Sequence, residues 1–177
     1  MQQLDEATLI EHARREPDAF AVLYQRYLPR VYRYLYLRLG NQHDAEDIAS
    51  QVFIETLDGL RHNRYKENGS FPAWLFTIAR RRLVDFQRKT VPASLEEHPS
   101  SDPDLLDQIQ TAENNERLAS LLARLDGEKQ EILRLRFAGE LSFAEIAMLE
   151  NQSEAAIKMI VYRAVQWLRE HWEVENG

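Results

Sequence analysis

Apolar side chains recur every three or four positions along most of this 177-residue chain, and alternation with a period of two residues is rare. The clearest stripe of this kind contains Phe20, Leu23, Tyr24, Tyr27, Val31 and Leu35. A helix with such a stripe is stable when the stripe is buried against a neighbouring element. The sequence therefore predicts an all-α protein in which amphipathic helices pack on one another.

Caps and prolines indicate where the helices of the first half begin and end. The predicted helices are Asp5–Arg15, a second one from Asp18, a third from Gly40-Asn41 to about Leu57, and Phe71–Lys89 after the cap residue Ser70. Pro29 cannot donate a backbone hydrogen bond, so we expect a kink or a new helix start there. Residues 58–69 contain two glycines and no apolar periodicity, which predicts a loop.

A change in composition divides the chain. Residues 90–111 are rich in proline, serine and carboxylates, and they have too few apolar groups to order themselves. We expect two small helical domains, an amino-terminal bundle (1–89) and a carboxy-terminal domain (112–177), joined by this acidic flexible linker. The chain contains no cysteine, no signal-peptide pattern and no run of about 18 apolar residues, which favours a cytoplasmic protein without membrane insertion.

The carboxy-terminal domain has the spacing of a helix-turn-helix. Ser142 and Glu145 form a capping-box pattern, Asn151 suits a turn with left-handed backbone, and Ser153 caps a long final helix. The arc of that helix predicted to face a DNA major groove contains Ala155, Lys158, Met159, Tyr162 and Arg163, next to the cap Ser153. The alternative is an αα-hairpin whose outer face meets only water.

Positive charge is concentrated in one segment, although the whole chain has a net charge of −7. Residues 61–90 carry 8 basic and 2 acidic side chains, and the flanking segments are acidic. On the predicted helix over 71–89, Arg80, Arg81 and Arg88 project toward one side. Guanidinium groups gathered in this way suit contacts to nucleic-acid phosphates.

The loop before this helix mixes cations with an amide and a ring, namely Arg61, Asn63, Arg64 and Tyr65. This mixture suits unpaired bases as well as the sugar-phosphate backbone. The alternative is a solvated basic face, with the ring of Tyr65 packed on the helix.

Three segments of the sequence, taken together and in order, form a pattern that is specific enough to indicate a protein family. They are Asp44-Ala45-Glu46-Asp47-Ile48-Ala49-Ser50-Gln51-Val52-Phe53, then residues 71–89 with their Trp-Leu and Ile-Ala-Arg, then residues 142–164. Together they resemble the bacterial RNA polymerase sigma factors of the compact extracytoplasmic-function (ECF) group. The resemblance covers nearly the whole chain outside the linker. It implies a non-enzymatic factor that binds core RNA polymerase and directs it to promoters.

The resemblance also assigns roles to residues. In the family, the helix corresponding to residues 44–57 docks on the clamp helices of the largest polymerase subunit, which gives that role to Asp44, Asp47, Gln51 and Glu55. The loop and helix over 61–89 are expected to capture and melt the proximal promoter element, and the helix-turn-helix to read the distal one. The expected partners are therefore core RNA polymerase and promoter DNA. Inhibitory anti-sigma factors are frequent in the family, and such a partner is a further expectation.

Two positions depart from the family pattern. The family commonly has Leu-Gly in the turn and Lys-Ser-Arg in the recognition helix, whereas this chain has Glu150-Asn151 and Lys158-Met159-Ile160. One cation for DNA is therefore missing, and we expect distal-element binding to be weak or altered in sequence preference. The departures also leave open a second function, that of a sigma-like adaptor acting through protein contacts.

An enzymatic function has little support in the sequence. The five histidines are scattered without ligand spacing, and neither a glycine-rich phosphate loop nor a nucleophile motif is present. We interpret Asp44, Glu46 and Asp47 as a partner-facing acidic helix end rather than as metal ligands. The sequence therefore predicts no catalytic residue, no metal site and no cofactor.

Overall fold

The computed structural model describes residues 5–66, 69–89 and 115–174, and the regular elements in these ranges are all helical. This confirms the all-α prediction. The expected linker over 90–111 lies outside the described residues. The amino-terminal module contains four helices: α1 (Glu6–Ala13), α2 (Pro17–Leu39), α3 (Gln42–Arg61) and α4 (Phe71–Lys89).

The apolar stripes of these four helices meet in one core. The stripe of α2 buries Leu23, Tyr27, Val31, Tyr34 and Leu35, and α3 and α4 close over it with Ile48, Val52, Phe53, Leu75, Phe76 and Leu83. Gly40 ends α2 with a left-handed φ of 67°, and the side chain of Asn41 accepts a bond from the backbone N–H of Asp44 at 3.0 Å. The Gly40-Asn41 boundary was thus correctly predicted from local cap chemistry.

Of the two outcomes expected at Pro29, a kink or a new helix start, the new start is wrong, because α2 continues through this residue. Pro29 and Gln25 are both exposed, so water can bond the Gln25 carbonyl that has no proline N–H partner. Tyr27 and Val31, on either side of the proline, are both buried. Burial of the stripe offsets the cost of about 3 kcal/mol for a proline inside a helix.

The predicted loop also starts later than expected, because α3 extends to Arg61. Gly59 lies inside the helix, and a Cβ atom there would come within 2.8 Å of the Trp74 ring. The glycine therefore serves close packing between α3 and α4 rather than a turn. Sequence periodicity misses this because glycine adds nothing to an apolar stripe.

The carboxy-terminal module is a second helical bundle. It contains α5 (115–123), α6 (Gly127–Leu133), a π-helical turn (Arg134–Ala138), α7 (Phe143–Glu150) and α8 (Glu154–Val174). Its interior is formed by Leu121, Ile132, Leu135, Leu141, Ile146, Ile157, Val161 and Ala164. The capping box of Ser142 and Glu145 is formed, and Asn151 ends α7 with a φ of 52°, as the helix-turn-helix prediction required.

The described parts of the two modules pack directly on each other. α4 lies against α7, and α2 lies against the π-helical turn. The rings of Tyr34 and Phe76 meet edge to face at a centroid distance of 5.4 Å, and buried residues of both modules belong to one hydrophobic cluster. Two helical modules were predicted from the sequence, but their mutual packing was not.

Candidate polymerase and nucleic-acid interfaces

The acidic end of α3 forms an exposed polar face. The side chain of Asp47 is 63% exposed, Gln51 is exposed and Asp44 is half-buried in the first helical turn. His43 Nε2 lies 3.5 Å from Asp47 Oδ2, one turn away on the same face. Asp44 lies in the first turn of α3, where the helix dipole favours a carboxylate, so acidic groups are gathered at the amino-terminal end of this helix.

Glu55, the fourth residue predicted for this face, points elsewhere. Its side chain is only 13% exposed, and it pairs with Arg81 and with Arg82, whose Nε lies 2.7 Å from a Glu55 carboxylate oxygen. Glu55 therefore connects α3 to α4 instead of joining the solvent-facing carboxylates. Helical spacing places it on the correct face of α3, but the neighbouring helix covers that end.

The three arginines predicted to bind phosphate have different surroundings. Arg80 Nη1 donates to a Glu150 carboxylate oxygen at 2.8 Å, and Arg81 pairs with Glu55. Arg88 is exposed near the end of α4, and it has no ion pair within the described residues. The side chain of Arg81 remains 58% exposed and that of Arg80 33%, so Arg81 and Arg88 are more accessible to solvent than Arg80.

Some of the loop residues that were predicted to bind nucleic acid are exposed after the end of α3. Asn63 is exposed and has a left-handed φ of 58°, which turns the chain away from the helix. Arg61 is exposed, and Arg64 is exposed but paired with Asp58. Arg61 and Asn63 line one crevice together with Arg14 and Arg15, which directly follow α1. Sequence reasoning missed the latter two, because only tertiary packing brings them beside the loop.

Tyr65 is not a surface ring. It is 7% exposed and packs against Phe71 and Trp74, with ring centroid distances of 5.6 and 5.3 Å. Its hydroxyl donates to the Gly69 carbonyl at 2.7 Å. The alternative considered for the sequence, a ring packed on the helix, therefore describes its position, and Tyr65 stabilises the loop instead of presenting a stacking surface.

The recognition arc of α8 faces solvent along its whole predicted length. The exposed residues are Ser153, Ala155, Lys158, Met159, Tyr162 and Arg163, and Ile157, Val161 and Ala164 are buried on the opposite side. Lys158 Nζ lies 2.9 Å from Glu154 Oε1, and hydrogen bonding to this carboxylate raises the pKa of Lys158. Tyr162 and Met159 are 62% and 50% exposed, so apolar as well as cationic groups are available on this arc.

Family models match both modules. Residues 23–91 match Sigma-70 region 2, and residues 115–168 match Sigma-70, region 4. The chain is 31% identical over 160 residues to the ECF RNA polymerase sigma factor RpoE of Cereibacter sphaeroides, with 89% of this chain and 88% of RpoE covered. The chain belongs to the ECF RNA polymerase sigma factors.

Another relative and a solved structure are also similar to most of this sigma factor. It is 35% identical over 167 residues to the ECF RNA polymerase sigma factor BldN of Streptomyces coelicolor, covering 90% of this chain but 63% of the length of BldN. The solved structure of CnrH in complex with the cytosolic domain of CnrY has a TM-score of 0.65 to this fold, at 21% identity, and covers 96% of this chain and 97% of CnrH. At that identity, the structural likeness concerns the fold.

The two matched regions follow the helices closely. Region 2 of this sigma factor contains most of α2, α3 and α4, and region 4 extends from α5 into α8. No group of three or more potential metal-ligating side chains occurs in the part of the chain that the structure describes. In the same ranges, every helix is too short or too polar to cross a bilayer.

Proposed function

We propose that this sigma factor binds core RNA polymerase through the exposed polar face of α3 formed by Asp44, Asp47 and Gln51. The observation that supports this is the separation of the two sides of α3. Ile48, Val52 and Phe53 are buried on one side, and on the other side Asp47 and Gln51 are exposed and Asp44 is half-buried. Exposed carboxylates and an amide complement a basic or amide-rich helical partner such as the clamp helices.

Region 2 would hold the opened proximal promoter element. Arg81 and Arg88 are exposed on α4 and would contact phosphates, and Arg61, Asn63 and Arg64 are exposed in the loop and would meet unpaired bases. Glu55 holds Arg81 and Arg82 rather than touching polymerase in this proposal, and Tyr65 supports the loop from inside.

Region 4 would read the distal promoter element with the arc of Ser153, Ala155, Lys158, Met159, Tyr162 and Arg163. A helix-turn-helix places the amino-terminal part of its second helix against base edges in the major groove. Lys158 and Arg163 would supply the charged contacts, and Met159 and Tyr162 the apolar ones. Glu150 is bound to Arg80, so its charge is partly neutralised in this arrangement.

The protein would act in the cytoplasm as a non-enzymatic initiation factor, since its partners are polymerase and the chromosome. CnrH, which shares its fold, was solved with the cytosolic domain of CnrY. By analogy we propose that an anti-sigma factor regulates this chain as well.

Purified transcription tests the proposal. Core RNA polymerase with this protein should start transcripts at defined positions in a library of genomic fragments from its source, and core polymerase alone should not. Co-purification with core polymerase but no defined start sites would favour the adaptor function instead. Absence of both would contradict the proposal.

A further inference from the structure

The outermost line of the recognition helix α8 is apolar. Ala155, Met159 and Tyr162 follow one another at intervals of four and three residues, which places them within about 60° on the helix. All three are exposed, and the buried Ile157 and Val161 lie on the opposite side. The three residues, the apolar line of α8, therefore point straight away from the core of the carboxy-terminal module.

Cationic side chains lie on both sides of this apolar line. Lys158 is on one side and Arg163 on the other, about 140° apart around the helix. Lys158 Nζ is held 2.9 Å from Glu154 Oε1, and Arg163 has no ion pair within the described residues. A helix in a major groove turns its outermost line to the base edges and its sides to the phosphates of the two strands. The cations are therefore suited to the backbones, and the apolar line is left for the bases.

The ring of Tyr162 is supported from the first helix of the helix-turn-helix. It lies tilted against the ring of Phe143, the first residue of α7, at a centroid distance of 6.1 Å. The Arg136 guanidinium lies 4.6 Å from the centroid of the Phe143 ring, and Lys158 Nζ lies 5.8 Å from it. A ring that already packs in this way loses little conformational entropy when it binds a partner. The apolar line is thus a prepared surface.

The polar groups near this line are occupied by other residues of the protein. Ser153 Oγ accepts from the Ala156 N–H at 3.1 Å as a helix cap. Gln166 extends the same line, but its amide donates to Glu170 Oε1 at 3.0 Å, and it lies about three turns beyond the helix start. Guanine is usually recognised by Arg or Lys and adenine by Asn or Gln, whereas an apolar side chain matches the C5 methyl group of thymine.

From this arrangement we propose that Met159, with Ala155 beside it, recognises thymine C5-methyl groups in the distal promoter element. The proposal rests on the DNA-reading role of region 4 given above. Thymine is then required opposite the first turns of α8, and cytosine, which lacks the methyl group, is rejected there. Specificity at these positions comes from apolar contact, while Lys158 and Arg163 add affinity for any sequence through the phosphates.

Replacement of thymine by deoxyuridine removes only the C5 methyl group and tests this contact directly. The probe is a pool of duplexes with about ten randomised base pairs, one helical turn, selected with the full chain at low salt, where phosphate contacts are strongest. We expect the enriched duplexes to share thymines at fixed positions. Deoxyuridine at a contacted position should weaken binding about fourfold, which corresponds to about 0.8 kcal/mol for one buried methyl group.

Variants of the two exposed methionines of this module assign the contact to one residue. Met159→Ser should bind the thymine and deoxyuridine duplexes equally, because the apolar side chain is absent. Met159→Leu should keep the difference between the duplexes, since leucine is also apolar and of similar volume. Met148→Ser, at an exposed methionine of α7 outside the arc, is the matched control and should keep the full fourfold difference. Circular dichroism checks that each variant is folded.

Equal binding of thymine and deoxyuridine duplexes by the unaltered chain would overturn the proposal, and so would a fourfold difference that persists in Met159→Ser. Selection that enriches no duplex, or only duplexes without a shared thymine, would contradict it as well. Failure of the proposed sigma function has a different signature. In that case the transcription test would give no defined start sites, while the deoxyuridine effect on binding would remain.

Discussion

The two modules of this sigma factor hold the groups that we propose to face nucleic acid in different ways. In region 2, the cations of α4 are largely engaged by carboxylates, Arg80 by region 4 and Arg81 with Arg82 by Glu55. In region 4, the arc of α8 that we propose to read DNA is open to solvent but carries few cations. Region 2 has many cationic side chains, but several of them are bound by carboxylates. Region 4 has a solvent-exposed surface on α8 with few cationic side chains. Access and charge therefore have to be assessed separately when a DNA-binding surface is inferred.

The largest expected difference is in the free energy of unfolding when one tyrosine of each module, Tyr65 or Tyr162, is replaced by alanine. Tyr65→Ala removes a buried ring from the Phe71 and Trp74 cluster and should lower the free energy of unfolding by about 3 kcal/mol. Tyr162→Ala, at an exposed ring, should change it by less than about 0.5 kcal/mol. Urea unfolding measures both. Equal stability of the two variants would show that Tyr65 is not part of the core.

The accessible cations of region 2 can be tested as a pair. Arg81→Ala with Arg88→Ala should weaken binding to forked DNA about thirtyfold and reduce the slope of log affinity against log salt by about 2. Arg26→Ala with Arg169→Ala removes the same charge at exposed positions elsewhere. Binding titrations at several salt concentrations distinguish the pairs. If the control pair had the same slope as Arg81 and Arg88, these two residues would contribute only general charge.

The acidic face of α3 should respond to charge reversal with a smaller effect. Asp47→Arg places a cation in the exposed carboxylate cluster and should weaken binding to core polymerase about tenfold, because like charges then face each other. Glu173→Arg, remote on α8, makes the same reversal and should leave the affinity unchanged. Competition for core polymerase with a labelled sigma factor measures both affinities. Normal binding by Asp47→Arg would remove α3 from the proposed interface.

The smallest effect is expected at the start of the helix-turn-helix. Ser142 accepts from the Glu145 N–H at 3.2 Å, and the Glu145 carboxylate accepts from the Ser142 N–H at 2.7 Å. Ser142→Ala should lower the free energy of unfolding by about 1 kcal/mol. Ser120→Ala, at an exposed position inside α5, should change it by less than about 0.5 kcal/mol. If denaturant unfolding shows no difference between the two, the capping box adds nothing to region 4.

Local signals were predicted well because they depend on neighbours within one helical turn. Ser142, Asn151 and the Gly40-Asn41 pair all lie at the helix ends that their side chains or backbone favour. The errors occurred where a distant partner changed the outcome. Pro29 stays helical because the stripe around it is buried, and Gly59 lies inside α3, where the Trp74 ring leaves no space for a Cβ atom.

The sequence by itself determined the all-α class, the order of the helices, most of their ends and the two arcs of α8, since these follow from helical periodicity and cap chemistry. Only the tertiary structure decided which charged side chains are accessible. Arg80 and Glu150 are 70 positions apart in the chain, and Glu55 and Arg82 are 27 apart. No periodic pattern links such positions, because the distance between them is set by how whole helices pack and not by the residues between them.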